Sequence, residues 1–560
     1  MKKMLLQGLS AALLPLVSLP VLAADPPSPG SILERSRDMR DFLESQREQT
    51  QVPDSPASPD IVDETAEREQ PAGGGKARFF LRQIDFSESE VLTEAALRDV
   101  AGRYVGREVS VADLFKLVGE VNALYRERKV IAAKAVLPPQ KIEQGRVSIR
   151  LVEGRVGQTR LQGNETTDDT FITGGLTVLE PGRLVYLNEL ESDLFYFNSV
   201  NDIDLRAVLK PGETFGTTDY VLQVTEPPRY DTTVFIDNAG RDDVGLYRIG
   251  IAHANRSVFG RRDSLKIGGH WAAGTKALYA SYDLPLTGRG TRLGLSADYS
   301  EIKIVDGELE PLDVSGDSFN AGIFLTHPLQ VTREGITNGY AGFNYKESTT
   351  DFDDVRLFST SVRSITAGVD LQRSSVGQSW LARLYATGAP NAWGNTKSFV
   401  RFNGEYSRIK VLRNNWVLLY RARLQLSPAD LLPSSEQFQI GGMSTVRGYP
   451  EGLLIGDRGY FGSVELTFPL DEADALDLSA NPFTQRLRGV MFFDHGGAFP
   501  FKGNNEPIDN DDFLTSIGGG ITLNLDKRTQ ARVVFGMPLD NRDDDEDGPM
   551  LHFYVQKGIF

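Results

Sequence analysis

The chain has 560 residues, more than one ordinary domain, and is 40% hydrophobic and 24% charged. That composition excludes a wholly disordered chain, a coiled coil and collagen. There is no cysteine, which excludes disulfide scaffolds and cysteine catalysis, and the five histidines are too dispersed to predict a metal site. A formal charge of −16 argues against nucleic acid as a partner.

Residues 1–23 have the pattern of a secretory signal peptide. Lys2 and Lys3 precede an apolar run, and small residues stand before Ala24. A membrane anchor is the alternative, but Pro15 and Pro20 interrupt its helix. No later apolar run approaches the roughly 18–20 residues that span a bilayer as a helix. We therefore predict an exported chain that is either soluble outside the cytoplasm or crosses a membrane as β-strands.

The region 24–50 contains a predicted amphipathic helix over 31–50, with Ser31 as a candidate N-cap. Its apolar face is thin and it carries four arginines, Arg35, Arg37, Arg40 and Arg47. Such a helix is expected in water or in a polar cavity, not in a core. Residues 51–77 are rich in proline and contain three consecutive glycines, which predicts a linker.

Two consecutive units follow, at 78–153 and 154–228. In each, hydrophobic periodicity predicts the order strand, helix, helix, strand, strand. Two adjacent units with one predicted topology form an internal repeat. We interpret them as a modular α+β arm and not as a catalytic cleft.

From 229 to 560 apolar and polar residues alternate in segments of about ten residues, as at 416–426, divided by Gly, Asp and Asn turns. This pattern is typical of a transmembrane β-barrel, whose apolar face meets lipid and whose polar face lines the lumen. A soluble β-rich domain is the alternative, and the signal peptide argues against it. Sixteen candidate strands begin near residues 230, 246, 264, 277, 291, 318, 339, 361, 378, 398, 415, 459, 487, 515, 529 and 551.

The predicted fold class is therefore a transmembrane β-barrel of 16 antiparallel strands, preceded by two α+β units and an N-terminal helix. An even strand number leaves both ends of the barrel on one side, the side of the arm. The terminal Phe560 is typical of such barrels, although Gln556 and Gly558 interrupt the usual apolar ending.

One loop, 435–458, has unusual chemistry. Its centre reads Gly441-Gly442-Met443-Ser444-Thr445-Val446-Arg447-Gly448-Tyr449-Pro450-Glu451-Gly452. Glycines on both sides permit sharp turns and a close approach to the barrel wall. A guanidinium in a low-dielectric lumen favours a carboxylate, and Asp494 on a later strand can accept its bidentate fork. An Arg447–Asp494 pair would hold the loop inside the barrel.

The motifs V-R-G-Y at 446–449 and F-x-D-x-G at 492–496 resemble the outer-membrane assembly and secretion superfamily, whose periplasmic modules are POTRA domains. The stretch Leu137-Pro138-Pro139-Gln140 resembles its TpsB branch, the two-partner secretion transporters of the haemolysin secretion/activation type. The resemblance covers essentially the whole mature chain. The resemblance implies that residues 78–153 and 154–228 are two POTRA domains and that residues 31–50 form a plug helix.

The resemblance also implies site residues and a function. It assigns loop anchoring and pore shaping to Arg447, Gly448, Tyr449 and Asp494, the motif strand to Phe492 and Gly496, and a POTRA motif to Pro138, Pro139 and Gln140. It implies export of a large TpsA partner (an adhesin, haemolysin or toxin) from the periplasm to the cell surface. The barrel would sit in outer-membrane lipid after insertion by the barrel-assembly machinery.

Other functions have less support. The chain shows none of the common catalytic motifs, so we predict no enzyme activity, no cofactor and no metal. The acidic runs at 509–512 and 543–547 lack the ordered spacing of a calcium loop. A barrel-assembly factor of the same superfamily is the main alternative, although it usually has more POTRA repeats and no helix-and-linker prefix. A diffusion channel would not need the arm or the inward loop.

Overall fold

The computed structural model describes residues 28–560 apart from 50–59, 65–77, 354, 396, 430, 471–485, 501–507, 509, 527, 541–547 and 560. The expected signal peptide, most of the linker, one acidic run and the terminal Phe560 lie outside the described residues. Among those described, no helix is both long and apolar enough to cross a membrane.

A closed antiparallel barrel of sixteen strands forms the carboxy-terminal part, which confirms the predicted architecture. Each strand pairs with the next, and the last pairs with the first, so no sheet edge is left open. The strands are β10 (Tyr230–Asp237), β11 (Arg248–Asn255), β12 (Ser264–Trp271), β13 (Thr275–Pro285), β14 (Arg292–Lys303), β15 (Val314–Thr332), β16 (Gly335–Phe352), β17 (Val355–Ser375), β18 (Gln378–Ala389), β19 (Phe399–Val411), β20 (Val417–Leu426), β23 (Arg458–Pro469), β24 (Leu487–Phe499), β25 (Phe513–Asp526), β26 (Thr529–Pro538) and β27 (Met550–Gly558).

The alternating sequence pattern explains which face of each strand points outward. On β20, Leu424 and Leu426 are about half exposed on the outer surface, whereas Gln425 between them is buried on the inner side. Apolar side chains outside and polar side chains inside suit a barrel in lipid. The inner face therefore supplies the charged residues that meet the helix and loop described below.

The two α+β units share one topology. The first comprises β2 (Arg78–Phe80), β3 (Gln83–Phe86), α2 (Glu94–Gly102), β4 (Glu108–Ser110), α3 (Val111–Glu127), β5 (Ala133–Val136) and β6 (Arg146–Glu153). The second comprises β7 (Arg155–Gln162), α4 (Asp169–Gly175), α5 (Leu187–Val200), β8 (Asp204–Pro211) and β9 (Thr217–Thr225). Their sheets have the orders β3-β6-β5 and β7-β9-β8, in each of which the first strand is parallel to the second. The first strand predicted for the unit 78–153 is divided in the structure, because β2 pairs with β4 and β3 with β6.

Part of the predicted linker forms a strand. β1 (Ile61–Asp63) pairs in parallel with β8, with Ile61 opposite Ala207 and Asp63 opposite Leu209. The edge of the second unit therefore accepts an extended segment, which the composition of the linker did not indicate. The short hairpin strands β21 (Phe438–Ile440) and β22 (Leu454–Gly456) belong to the inward loop.

The second unit is held against the mouth of the barrel by two ion pairs. Arg262, in the turn after β11, donates to Asp202 through Nε at 2.7 Å and is almost fully buried. Arg289, in the turn after β13, lies 2.7 Å from Asp193 of α5. Both turns lie at the end of the barrel where the arm is joined to the first strand, β10.

Candidate functional site in the barrel lumen

The connection between β20 and β23 folds back into the barrel. Three glycines at its tip adopt positive φ, at 106° for Gly441, 99° for Gly442 and 92° for Gly448, a region that side-chain-bearing residues rarely occupy. An apolar cluster joins the loop to the wall; its buried members are Phe438, Ile440, Val446, Tyr449, Phe461, Ala498 and Leu514.

Arg447 at the loop tip binds Asp494 of β24 through a bidentate fork. Its Nε and Nη2 lie 2.7 and 2.9 Å from the two carboxylate oxygens, and its backbone N–H also donates to Asp494 at 3.1 Å. Both side chains are almost fully buried. A planar fork on a carboxylate combines strength with directional specificity. The structure thus brings together the two residues that the sequence motifs single out.

A second acid, absent from the sequence prediction, completes the arrangement. Nη1 of Arg447 lies 2.5 Å from Glu465 of β23, and Glu465 also pairs with Arg532 of β26 at 2.6 Å. Ser463 donates to Asp494 at 2.6 Å. Two cations thus pair with two anions in this buried network. The signal was available, because Ser463 and Glu465 occupy inward positions of an alternating strand.

The other two residues of the strand motif shape the space around the fork. The guanidinium of Arg447 lies 3.6 Å from the ring centroid of Phe492, a cation–π contact. A Cβ at Gly496 would lie 3.2 Å from Ile440 of the loop and 2.8 Å from a backbone oxygen of Tyr460. Gly496 therefore leaves the space that the loop occupies.

Gly448 rests directly on the backbone of β26. A Cβ at Gly536 would lie 2.5 Å from the Gly448 nitrogen, and one at Gly448 would lie 2.9 Å from the carbonyl carbon of Gly536. The Gly448 N–H also donates to Nε2 of His552 on β27 at 3.0 Å. Neither Gly536 nor His552 was predicted.

Gly536→Ala should displace the loop tip without altering any charge. The added methyl would overlap the Gly448 backbone, and overpacking of this kind costs about 1–3 kcal/mol. We expect reduced export and faster proteolysis of the loop in outer-membrane vesicles. Gly462→Ala is a matched control, because a Cβ at Gly462 would meet no atom within 4 Å. Equal behaviour of the two variants would contradict the tight contact.

Tyr449 holds the loop at a further point. Its hydroxyl lies 2.8 Å from the carbonyl oxygen of Thr515 on β25 and 3.0 Å from Asp540, beyond the end of β26. Its ring is almost fully buried in the apolar cluster. The tip therefore contacts every strand from β23 to β27.

The amino-terminal helix α1 (Pro29–Gln49) lies inside the barrel. Ser28, and not the predicted Ser31, caps it: the Ser28 Oγ accepts from the Ser31 N–H at 3.1 Å. The wall surrounds the helix with complementary charges. These pairs are Arg40–Asp298 at 2.9 Å, Arg37–Asp298 at 3.6 Å, Asp38–Arg423 at 2.9 Å and Glu34–Lys346 at 2.9 Å.

These contacts show what the basic residues of the predicted helix bind. Arg35, Arg37 and Arg40 all meet acids, while the side chain of Arg47 lies outside the described residues. Glu34 on this helix pairs with two cations, Lys346 at 2.9 Å and Arg37 at 3.3 Å.

The helix is also joined to the loop. Arg35 forms an ion pair with Glu451 and donates to the carbonyl oxygen of Gly441. Glu451 in turn accepts from the backbone N–H of Met443 at 2.6 Å. Beside the helix a polar cavity of about 380 Å³ remains, large enough to hold ordered water. Helix and loop thus contact each other inside the lumen.

The POTRA motif of the sequence analysis has a local role. The amide of Gln140 donates to the carbonyl of Ser148 and accepts from its N–H, both at 2.8 Å. Ser148 lies on β6 beyond the end of β5, so this side chain replaces the missing strand partner. Pro138 and Pro139 lie in the same β5–β6 connection.

The acidic runs show no metal arrangement in the part that the structure describes. Residues 510–512 form a short 3₁₀ turn, and the run 543–547 lies outside the described residues. No cluster of His, Asp or Glu suited to a metal ion occurs among the described residues.

Comparison with known proteins decides the family. Residues 216–525 match the family described as haemolysin secretion/activation protein ShlB/FhaC/HecB, more than half of the chain. The chain belongs to this family. Residues 79–154 match the POTRA domain of ShlB type. The family is one of outer-membrane transporters, and its POTRA domains lie in the periplasm.

Curated relatives agree with this assignment. The chain is 27% identical over 495 residues to the heme/hemopexin transporter protein HuxB of Haemophilus influenzae (strain 86-028NP), covering 84% of this chain and 85% of the relative. It is 23% identical over 465 residues to the outer membrane transporter CdiB of Escherichia coli O6:K15:H31, covering 77% and 75%.

Solved structures show the same fold. CdiB from Escherichia coli aligns with a TM-score of 0.65 at 19% identity, over 96% of this chain and all of that one. BamA from Haemophilus ducreyi lacking POTRA domains 1–3 aligns with a TM-score of 0.55 at 13% identity, over 86% of this chain and all of that one.

Proposed function

We propose that this transporter exports one large partner protein of the TpsA class (an adhesin, haemolysin or toxin) from the periplasm to the cell surface. The observation that carries this proposal is a sixteen-stranded barrel whose lumen contains two separate elements, a loop anchored to the wall and a helix held by side-chain ion pairs. A helix held by side-chain ion pairs, and tethered by a linker, can leave without breaking the barrel sheet. A permanently packed core would be apolar.

The arm supplies a place to capture the partner. In the structure β1 occupies the edge of β8, which shows that this edge accepts an extended segment. An unfolded partner can add a strand at such an edge, where backbone hydrogen bonds give affinity and side-chain positions give specificity. The ion pairs at Arg262 and Arg289 hold the second unit, which carries this edge, against the barrel.

The loop shapes the pore. The Arg447 fork anchors it to β23 and β24, and Gly448 and Tyr449 extend the anchorage to β25–β27. We propose that this fixed loop narrows and orients the path that the partner follows once α1 has withdrawn. Since the periplasm has no ATP, folding of the partner outside into a stacked repeat structure would bias its movement outward.

Assembly of other barrels into the membrane is the second candidate, favoured by the fold shared with BamA. The helix in the lumen and the linker strand on β8 favour the exporter, because they close a conduit and occupy a capture edge. HuxB and CdiB are both named transporters. The two functions differ in what the cell loses when the gene is removed.

Quantitative mass spectrometry of medium, cell surface and periplasm, with and without the gene, should separate them. We expect one large secreted protein to disappear from outside the deletion strain and to return when the gene is restored. A broad fall in many outer-membrane barrels, with the secreted set intact, would instead establish an assembly factor. The vanished protein also identifies the partner for the experiments below.

A further inference from the structure

The loop tip is held at a second point, separate from the Arg447 fork. There the backbone of Gly448 lies on Gly536 of β26, and its N–H points at the imidazole of His552 on β27, 3.0 Å away. His552 is 2% exposed. It belongs to neither of the two sequence motifs that define the site.

The hydrogen bond defines the chemical state of His552. A backbone N–H can only donate, so Nε2 must offer a lone pair and the ring hydrogen must reside on Nδ1. Nδ1 has no hydrogen-bond partner among the described residues, and the ring borders a small cavity shared with Phe42 of α1. The charged groups around the ring are Arg447 and Glu451 of the loop, Asp494 of β24 and Arg532 of β26.

We propose that His552 is a positioning residue for the inward loop, whose Nε2 lone pair seats Gly448 on Gly536 and so sets the position of the adjacent Arg447 fork. An unmet N–H buried at this point would favour release of the tip, since a buried donor without an acceptor is costly. The inference rests on the proposed function of the loop as an anchored element of the pore.

Three substitutions separate the lone pair from the bulk of the ring. His552→Gln can place its amide oxygen near the position of Nε2, whereas His552→Asn can place it only near Nδ1. His552→Leu offers no acceptor. Because the chain has no cysteine, Ser444→Cys in the buried loop tip provides a single thiol whose alkylation reports exposure of the loop.

The full chain in outer-membrane vesicles is treated with a membrane-impermeant maleimide, and folding is checked by heat-modifiable migration. We expect the Leu and Asn variants to react about fivefold faster or more than the wild type, and the Gln variant to match the wild type. Export should follow the same order. Equal rates for Gln and Asn, or a wild-type rate for Leu, would overturn the role of Nε2.

The Arg447→Ala variant, measured with the same Ser444→Cys reporter, separates this inference from the proposed function. If Arg447→Ala raises the rate and His552→Leu does not, the loop is anchored without help from His552 and the inference fails alone. If neither variant raises the rate, the anchored loop itself is refuted.

Discussion

Arg447→Ala should reduce export of the partner by at least about tenfold while leaving a folded barrel in the outer membrane. Removing the guanidinium leaves Asp494 and Glu465 buried with Arg532 as the remaining partner in the network. Breaking one member of a buried ion pair typically costs about 3–5 kcal/mol, and this change removes the contacts that hold the loop tip on β23 and β24. Immunoblotting of the medium for the partner measures export, and heat-modifiable migration measures folding.

Two further variants make the result specific. Arg447→Lys keeps the positive charge but cannot form the planar fork, so we expect it to export poorly as well. Arg356→Ala removes the same charge from an exposed position at the top of β17, where Arg356 pairs with Asp351 at 3.3 Å, and should export normally. Normal export by the Arg447→Ala variant would contradict the proposal that this residue anchors the loop.

Deleting residues 31–50 should raise the single-channel conductance in a planar bilayer several-fold. The deletion removes nearly all of α1, which occupies the lumen beside a cavity of only about 380 Å³. The barrel should remain intact, because its sheet closes through β10 and β27 without the helix. An unchanged conductance would show that the loop alone closes the pore.

Charge reversal tests whether ion pairs hold the helix in place. Arg35→Glu or Glu451→Arg alone sets like charges against each other in a buried contact and should increase channel opening. The double variant restores an opposite-charge pair at the same position and should return the conductance toward that of the wild type. Lys116→Glu in the exposed first POTRA unit is a control for the change in net charge. Additive effects of the two single variants would count against the pair.

The sequence already contained much of the fold, for a physical reason. Period-two alternation identifies strands with one apolar and one polar face, and sixteen such segments predicted the closed barrel that the structure shows. The many charges and the narrow apolar face of the helix predicted at 31–50 excluded a place in a hydrophobic core. In the structure this helix lies in a polar lumen. Composition alone could not reveal β1, since a three-residue strand depends on the edge beside it.

For the site, too, the sequence predicted some residues and the structure alone revealed others. The motifs at 446–449 and 492–496 singled out Arg447 and Asp494 before any contact was known. The alternation also indicates that Glu465 faces the lumen. It does not indicate which lumen-facing residues of different strands lie at the same level along the barrel axis. That depends on strand register and barrel closure, which place Glu465 and His552, 18 and 104 residues from their loop partners, around one loop tip. The sequence by itself thus determined the barrel, its inner face and the Arg447–Asp494 pair, whereas only the tertiary structure decided the remaining partners, because a period of two carries no information about register.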